Sequence, residues 1–327
     1  MESTSWLELR KFVSPEFVFG EGALRMAGQY ARNFGANKVL VVSDPGVCKA
    51  GWTGKVIESL EEAGLPHSLF SGVTPNPRAE EVMQGADVYK NEDCDVIVAV
   101  GGGSPMDCAK GIGVVSVNGK NILDYTGVDR IPLPGPPLIC VPTTGGTSAD
   151  ISQFAIITDM RKKIKTALVS KTLVPDTSLI DPTTTLTMSP ELTANTGIDA
   201  ISHGIEAYVS NASSPVTDLF ALNSVGLIFD NLIHVKDKPD NMSHRGKVML
   251  GCLEAGLAFS NASLGLAHAM SHSLGGFTDS PHGESEAILL PHVIGFNYEA
   301  VPGRYEKIGE KMGRDLPGLS YDRKKNV

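Results

Sequence analysis

"DVIVAVGGGSPMDCAKGIG", residues 95–113, runs a continuous apolar stretch straight into three glycines and a serine, then into a helical pattern. An apolar run of that length, bounded by glycine, reads as a strand buried on both faces, the kind found in parallel sheets. Gly101, Gly102, Gly103 and Ser104 then stand where the strand ends and a helix begins. Glycines there let backbone N–H groups approach an anion, and the helix N-terminus adds a favourable dipole, so phosphate or pyrophosphate is the natural guest. The stretch is neither G-x-G-x-x-G nor a Walker A loop, and a tight β–α turn with no guest is the alternative.

Outward from this loop the same alternation repeats. "KVLVVSD" (38–44), "HSLFSGV" (67–73), "PPLICVPTT" (136–144), "QFAIITD" (153–159) and "TSLIDP" (177–182) read as strands, with helical patterns such as "PRAEEVMQGADVYKNED" (77–93) between them. "PGVCKAGWTGKVIESLEEAG" (45–64) reads as a loop followed by an amphipathic helix. Strands alternating with helices imply parallel pairing with helices on both faces. Beyond about residue 187 the period becomes helical throughout, opening at Ser189 and Pro190, a cap and first-turn signature. The expected organisation is α/β plus all-α: an α/β nucleotide domain over 1–186 and an all-helical domain over 187–327.

Composition bounds the function. The formal net charge of −9 argues against a nucleic-acid or anionic-membrane partner, since phosphate backbones need a basic face. The start, "MESTSWLELRKFVSPEF", has no apolar run long enough for a signal peptide, and no later stretch is read as reaching transmembrane length. The five cysteines are scattered, with no C-x-x-C, which suits reduced thiols and a cytoplasmic protein.

Two constellations carry chemistry. Around the glycine loop, "VPTTGGTSAD" (141–150) supplies hydroxyls at Thr143, Thr144, Thr147 and Ser148, and Asp44 ends the first strong strand. An acidic side chain there can bond ribose hydroxyls and would repel a 2′-phosphate, favouring NAD over NADP. The second constellation is imidazole. Asp199 and His203 stand four apart on a predicted helix, as do His268 and His272, with His282 following in "SPHG", read as a loop. A carboxylate with several imidazoles suits a divalent transition metal, zinc, iron, copper or nickel alike. Buried histidines satisfied by backbone are the plainer reading. Spacing alone puts His268 and His272 on the metal together. His67, His234, His244 and His292 read as surface or packing residues.

Taken together, the motifs resemble the iron-containing (group III) alcohol dehydrogenases. "GGGSPMDCAK" is similar to the family's GGGSxxDxAK, "PTTGGTSAD" to PTTAGTGSE with departures at Gly145 and Asp150, and "GLAHAMSHSLGGFTDSPHGESEAILLPHVIGFN" to a long family signature. The resemblance implies a Rossmann-like parallel-sheet nucleotide domain followed by a helical metal-binding domain, the dehydroquinate synthase-like architecture. It implies Asp199, His203, His268 and His282 as ligands of Fe2+, with Zn2+ as the variant, and moves His272 from the metal to the nicotinamide as the catalytic residue. For NAD(H) it implies Asp44, Asn76, the Gly101–Ser104 turn, Thr143, Thr144, Ser148 and Lys165. The implied reaction is hydride transfer between NAD(H) and a small primary alcohol or diol and its aldehyde, in a homodimer or higher homo-oligomer for which "EFVFGEG" (16–22) is a candidate edge strand. Family members run some tens of residues beyond the point where this chain ends, "GRDLPGLSYDRKKNV", so the helical domain is expected to be shortened at its C-terminal end. A dehydroquinate synthase-like lyase is the competing enzyme class, yet its site needs several cations, and between 195 and 283 these are confined to Lys236, Lys238, Arg245 and Lys247. Glycerol dehydrogenase matches less well, and a non-catalytic nucleotide-binding remnant is the non-enzymatic alternative.

Overall fold

The structure, a computed structural model, describes residues 9–325; the reading of the N-terminal start falls in part on residues 1–8, outside them. Within the described residues the chain divides into two compact units, one of residues 13–144 and 149–187, the other of residues 9–12, 145–148 and 188–325.

The first unit holds the strands: β1 (Glu16–Phe19), β2 (Val39–Val42), β3 (His67–Phe70), β4 (Val96–Gly101), β5 (Gly127–Val128), β6 (Leu138–Pro142), β7 (Phe154–Asp159), β8 (Ile164–Val169) and β9 (Thr177–Ile180). Its helices are α1 (Ala27–Asn33), α2 (Pro45–Ala50), α3 (Trp52–Glu62), α4 (Ala79–Asn91) and α5 (Gly103–Asn118). Six strands form a wholly parallel sheet in the order β1-β9-β6-β4-β2-β3. Side chains alternate between faces along a strand. Leu40 and Val42 therefore pack with Val82 and Ala86 of α4 and Met106 and Ile112 of α5. Val39 and Val41 pack on the other face with Ala27 and Ala31 of α1 and Val56 and Leu60 of α3. Strand β2 needs apolar residues at every position because both of its faces are covered, each full burial contributing about 1.5–3 kcal/mol.

Three elements depart from the sequence reading. β7 and β8 pair antiparallel and, with β5, make a separate small sheet. The reason is the connection. Only residues 160–163 join them, whereas a parallel return needs a crossover of about a dozen residues or more. The Asp159 carboxylate accepts from the backbone N–H of Arg161 and Lys162, and Lys163 takes a positive φ of 54°, closing the turn. β8 itself, in "KKIKTALVS", escaped because polar and apolar residues mix along a half-buried strand, although it lies between β5 and β7 in that small sheet. Residues 45–50 form a helix instead of a loop. Asp44 caps it by accepting from the N–H groups of Gly46 and Val47, and Pro45 supplies the pre-set first turn.

The second unit is helical: α6 (Pro190–Val209), α7 (Pro215–Asp237), α8 (Met242–Ala262), α9 (Leu266–Thr278), α10 (His282–Asn297), α11 (Pro302–Lys311) and α12 (Tyr321–Lys325). Ser189 caps α6 through the Leu192 N–H at 3.0 Å. His282, read from sequence as a loop residue, is the first residue of α10. By length and composition α7 is apolar enough to cross a membrane, as are α8 and α9 taken together across a 97° bend, contrary to the reading that no stretch reaches that length. Ala221, Ser224, Val225 and Ile228 of α7 are buried, so that apolarity serves the packing of the bundle.

Small residues set how closely α6 and α7 approach. A Cβ on Gly204 would lie 2.6 Å from Ser224 Oγ and 2.9 Å from Val225 Cγ2. Gly204→Ala is expected to cost about 1–3 kcal/mol by overpacking, read as a fall in the denaturant midpoint. An unchanged midpoint would mean that the helices separate freely.

Candidate functional site

The helical unit gathers the imidazoles. Asp199 and His203 sit one turn apart on α6, His268 and His272 one turn apart on α9, and His282 opens α10. Three ring nitrogens converge on one oxygen. The Nε2 atoms of His203, His268 and His282 lie 3.6, 3.5 and 3.4 Å from Asp199 Oδ1. One ligand atom each from Asp199, His268 and His282 lies within 4.8 Å of the others. His203 stacks on His268 with ring centroids 4.5 Å apart, and on Phe259 at 4.3 Å. His272 is set differently. Its ring meets His268 edge-on at 6.1 Å between centroids and lies 5.1 Å from the His282 ring. Spacing had paired His268 with His272; the structure gathers His268 with Asp199 and His282.

The surroundings tell which face of each imidazole is turned inward. His268 Nδ1 is 2.7 Å from Glu206 Oε2, which leaves Nε2 directed at Asp199. His282 Nδ1 is 2.9 Å from Ser271 Oγ. Glu286, fully buried on α10, stands 3.7 Å from the same His268 Nδ1. Burial would raise the Asp199 carboxyl, but the surrounding imidazoles of His203, His282 and His268 outweigh it and hold it below the usual carboxylate range. Burial pushes the His203 imidazole down to about 3 and lifts the Glu286 carboxyl to about 7.

A divalent cation fits this donor set. Asp199 Oδ1 and His268 Nε2 are buried atoms with no hydrogen-bond partner, as are both oxygens of Glu286. An unpaired buried polar atom costs about 1–3 kcal/mol, so orphaned atoms that face one another ask for something that accepts lone pairs. Asp199, Glu206 and Glu286 also place three carboxylates nearly out of contact with water, where negative charge needs compensation. Neither Glu206 nor Glu286 was singled out from the sequence. The available signal was spacing, since Glu206 follows His203 by three positions and Glu286 follows His282 by four, each on the same helical face.

The α/β unit gathers the loops. Going outward from β2, the chain visits β3 on one side and then β4, β6 and β9 on the other, so the order reverses between β2 and β4. In open α/β sheets ligands bind outside the carboxyl ends of the strands at such a reversal. Asp44 and Gly101 stand at those two ends, and a Cβ on Gly101 would lie 3.4 Å from Asp44 Oδ2. The same Cβ would meet Pro105 Cγ at 2.6 Å, and one on Gly102 would meet Thr144 Oγ1 at 3.1 Å, so glycine is what lets the turn close. Thr143 N–H donates to the Gly101 carbonyl at 2.8 Å. The Asn76 N–H donates to Ser104 Oγ at 3.2 Å, while Thr158 Oγ1 donates to the Asn76 carbonyl at 3.3 Å. Lys165 lies opposite Thr158 across the β7–β8 hairpin.

Asp44, Asn76, the Gly101–Ser104 turn, Thr143 and Thr144 are thus brought to neighbouring loops, while Lys165 stands on β8 opposite the Thr158 that bonds Asn76. Ser148 lies in the helical unit with the rest of residues 145–148, where its buried hydroxyl donates to the Cys252 carbonyl at 2.7 Å.

A family model for iron-containing alcohol dehydrogenase matches residues 14–182, and one for the C-terminal part of the Fe-containing alcohol dehydrogenase family matches residues 193–326. A 1,3-propanediol dehydrogenase of Citrobacter freundii is 40% identical over 304 residues, 92% of this chain and 79% of that protein. An NAD-dependent methanol dehydrogenase of Bacillus methanolicus is 37% identical over 309 residues, 94% of this chain and 81% of that protein. Among solved structures, an alcohol dehydrogenase from Oenococcus oeni superposes with a TM-score of 0.94 at 35% identity, covering 97% of this chain and 84% of that one.

Proposed function

Because this chain belongs to the iron-containing alcohol dehydrogenase family, and is an alcohol/aldehyde oxidoreductase of it, we propose that it transfers hydride between NAD(H) and a small primary alcohol or diol and the matching aldehyde. The observation that carries this reading is the convergence of three Nε2 atoms on Asp199 Oδ1. Asp199, His203, His268 and His282 would hold the ion, divalent iron by family and zinc by donor chemistry. When bound, the ion would supply Lewis acidity that makes an alcohol proton easier to lose, and the nicotinamide would supply a hydride acceptor.

The chain's own residues do the rest. Donors on three separate helices, α6, α9 and α10, would hold the ion. His272, half-buried beside His282, is placed to carry the alcohol proton on its imidazole. In the α/β unit the glycine turn at the head of α5 presents backbone N–H groups to a pyrophosphate. Asp44 faces the ribose and discriminates against a 2′-phosphate. We place the protein in the cytoplasm, where its five free cysteines stay reduced. We assign it a homo-oligomeric state through β1, an edge strand carrying the part-exposed Phe17 and Phe19. The family membership leaves the lyase alternative without support.

The test is metal content of anaerobically purified protein, together with NADH formation from 1-butanol and 1,3-propanediol after adding Fe2+ or Zn2+. One bound ion with metal-dependent NADH formation supports the reading, and failure to bind either ion sinks it. The Asp44 assignment has its own test. Asp44→Gly retains most of the capping of α2, since glycine costs a cap only a few tenths of a kcal/mol. It should raise kcat/KM for NADP by about fivefold to tenfold, because like charges about 4 Å apart repel by about 1 kcal/mol even in water. Unchanged NADP kinetics would remove Asp44 from the ribose.

A further inference from the structure

We propose that Glu206 is the positioning residue of the metal centre: from α6 it holds the N-terminus of α9 and orients His268 so that Nε2 faces the ion. This rests on the metal reading above. Glu206 lies on the same stripe of α6 as Asp199 and His203, at spacings of seven and three residues. Its carboxylate is buried and accepts from four donors on the other helix. These are Ala267 N–H at 2.8 Å, Gly265 N–H at 3.0 Å, His268 N–H at 3.5 Å and the His268 ring at Nδ1, 2.7 Å away.

Each contact does a different job. α9 has Gly265 at its cap position and no side-chain cap of its own, so the orphan N–H groups of its first turn are satisfied by Glu206. A carboxylate at a helix N-terminus is also favoured by the dipole. The bond to Nδ1 makes that nitrogen the donor, which leaves the lone pair of Nε2, itself 3.5 Å from Asp199 Oδ1, for an ion. One side chain therefore sets the height of α9 against α6 and the tautomer of His268 together. Gly265 is part of the device, because a Cβ there would lie 2.7 Å from Glu206 Oε1. Glu286 does not substitute, standing 3.7 Å from Nδ1 and making no hydrogen bond.

The experiment compares wild type, Glu206→Gln and Gly265→Ala. It measures Co2+ and Zn2+ affinity by chelator competition, the visible spectrum of the Co2+ form, and Tm of the metal-free protein. Glu206→Gln retains the shape but offers an amide N–H where a second acceptor is needed, and affinity should fall about 10–100-fold with an altered cobalt spectrum. Gly265→Ala displaces the carboxylate without removing it and should lower affinity in the same direction. Wild-type affinity and an unchanged spectrum in both variants, with only Tm reduced, would show that Glu206 merely caps α9 and would overturn the proposal. If Glu206→Gln fails to fold, Gly265→Ala decides alone. A wild-type protein that takes up neither ion overturns the metal reading itself, a result distinct from any change confined to the variants.

Discussion

Replacing His268 by alanine is expected to strip the ion and reduce turnover about a thousandfold or more, since Lewis-acid stabilisation is worth several kcal/mol and each 1.36 kcal/mol is a factor of ten. His268 is buried at 2% exposure, its Nε2 lies 3.5 Å from Asp199 Oδ1, and no other described side chain offers an orphaned nitrogen at that point. The loss also leaves Glu206 buried without its ring partner, which adds a stability cost. His272→Ala should behave in the opposite way, retaining one ion per chain and losing about 100- to 10,000-fold in rate, the usual worth of a positioned acid or base. The pair is informative because the two histidines are one turn apart on the same helix. Metal analysis and steady-state rates on both variants check it. Loss of metal in His272→Ala would invert the assignment.

Lys110→Met is expected to destabilise the protein by about 2–6 kcal/mol, the cost of taking the ammonium away from the two carbonyls it bonds. Lys110 is 3% exposed, and its ammonium donates to the Ser152 and Phe154 carbonyls at 2.8 and 2.7 Å, with Ser152 Oγ at 3.5 Å. Asp107, three positions earlier on α5, accepts from the Ile156 N–H at 3.0 Å. Together they clip α5, which begins at the glycine turn, to β7, the strand that leads into the Lys165 hairpin. Methionine retains the apolar stem but leaves two buried carbonyls unpaired, each costing about 1–3 kcal/mol. Denaturant unfolding with an unchanged m-value is the measurement, and a loss below about 1 kcal/mol would mean that water or a neighbour replaces the ammonium. The "D-x-A-K" part of the glycine motif thus serves the architecture of the loop.

Where the physics is local, the sequence alone determined the outcome. β2 and β4 were legible because both are covered on both faces and carry an unbroken apolar run into the core. The shared face of Asp199 and His203 was legible because helical spacing puts i and i+4 on one face whatever surrounds the helix. The start of α6 was legible because Ser189 and Pro190 act on their own first turn. Family motifs carried the rest of the metal set.

What depended on distant parts of the chain was decided only by the tertiary structure. The direction of β8 against β7 follows from a turn of four residues and its partner strand, not from the composition of β8. The Ser148 hydroxyl donates to the Cys252 carbonyl of α8, a partner that its own loop does not announce. Between His268 and His272 spacing is neutral, since either can face the interior. The choice was made by Glu206, whose carboxylate reaches α9 from another helix, and by Asp199 on the far side of the ring. Hydrogen bonds and burial between helices some sixty residues apart in the chain have no periodicity to announce them, and so the orientation of a ring is a property of the folded molecule.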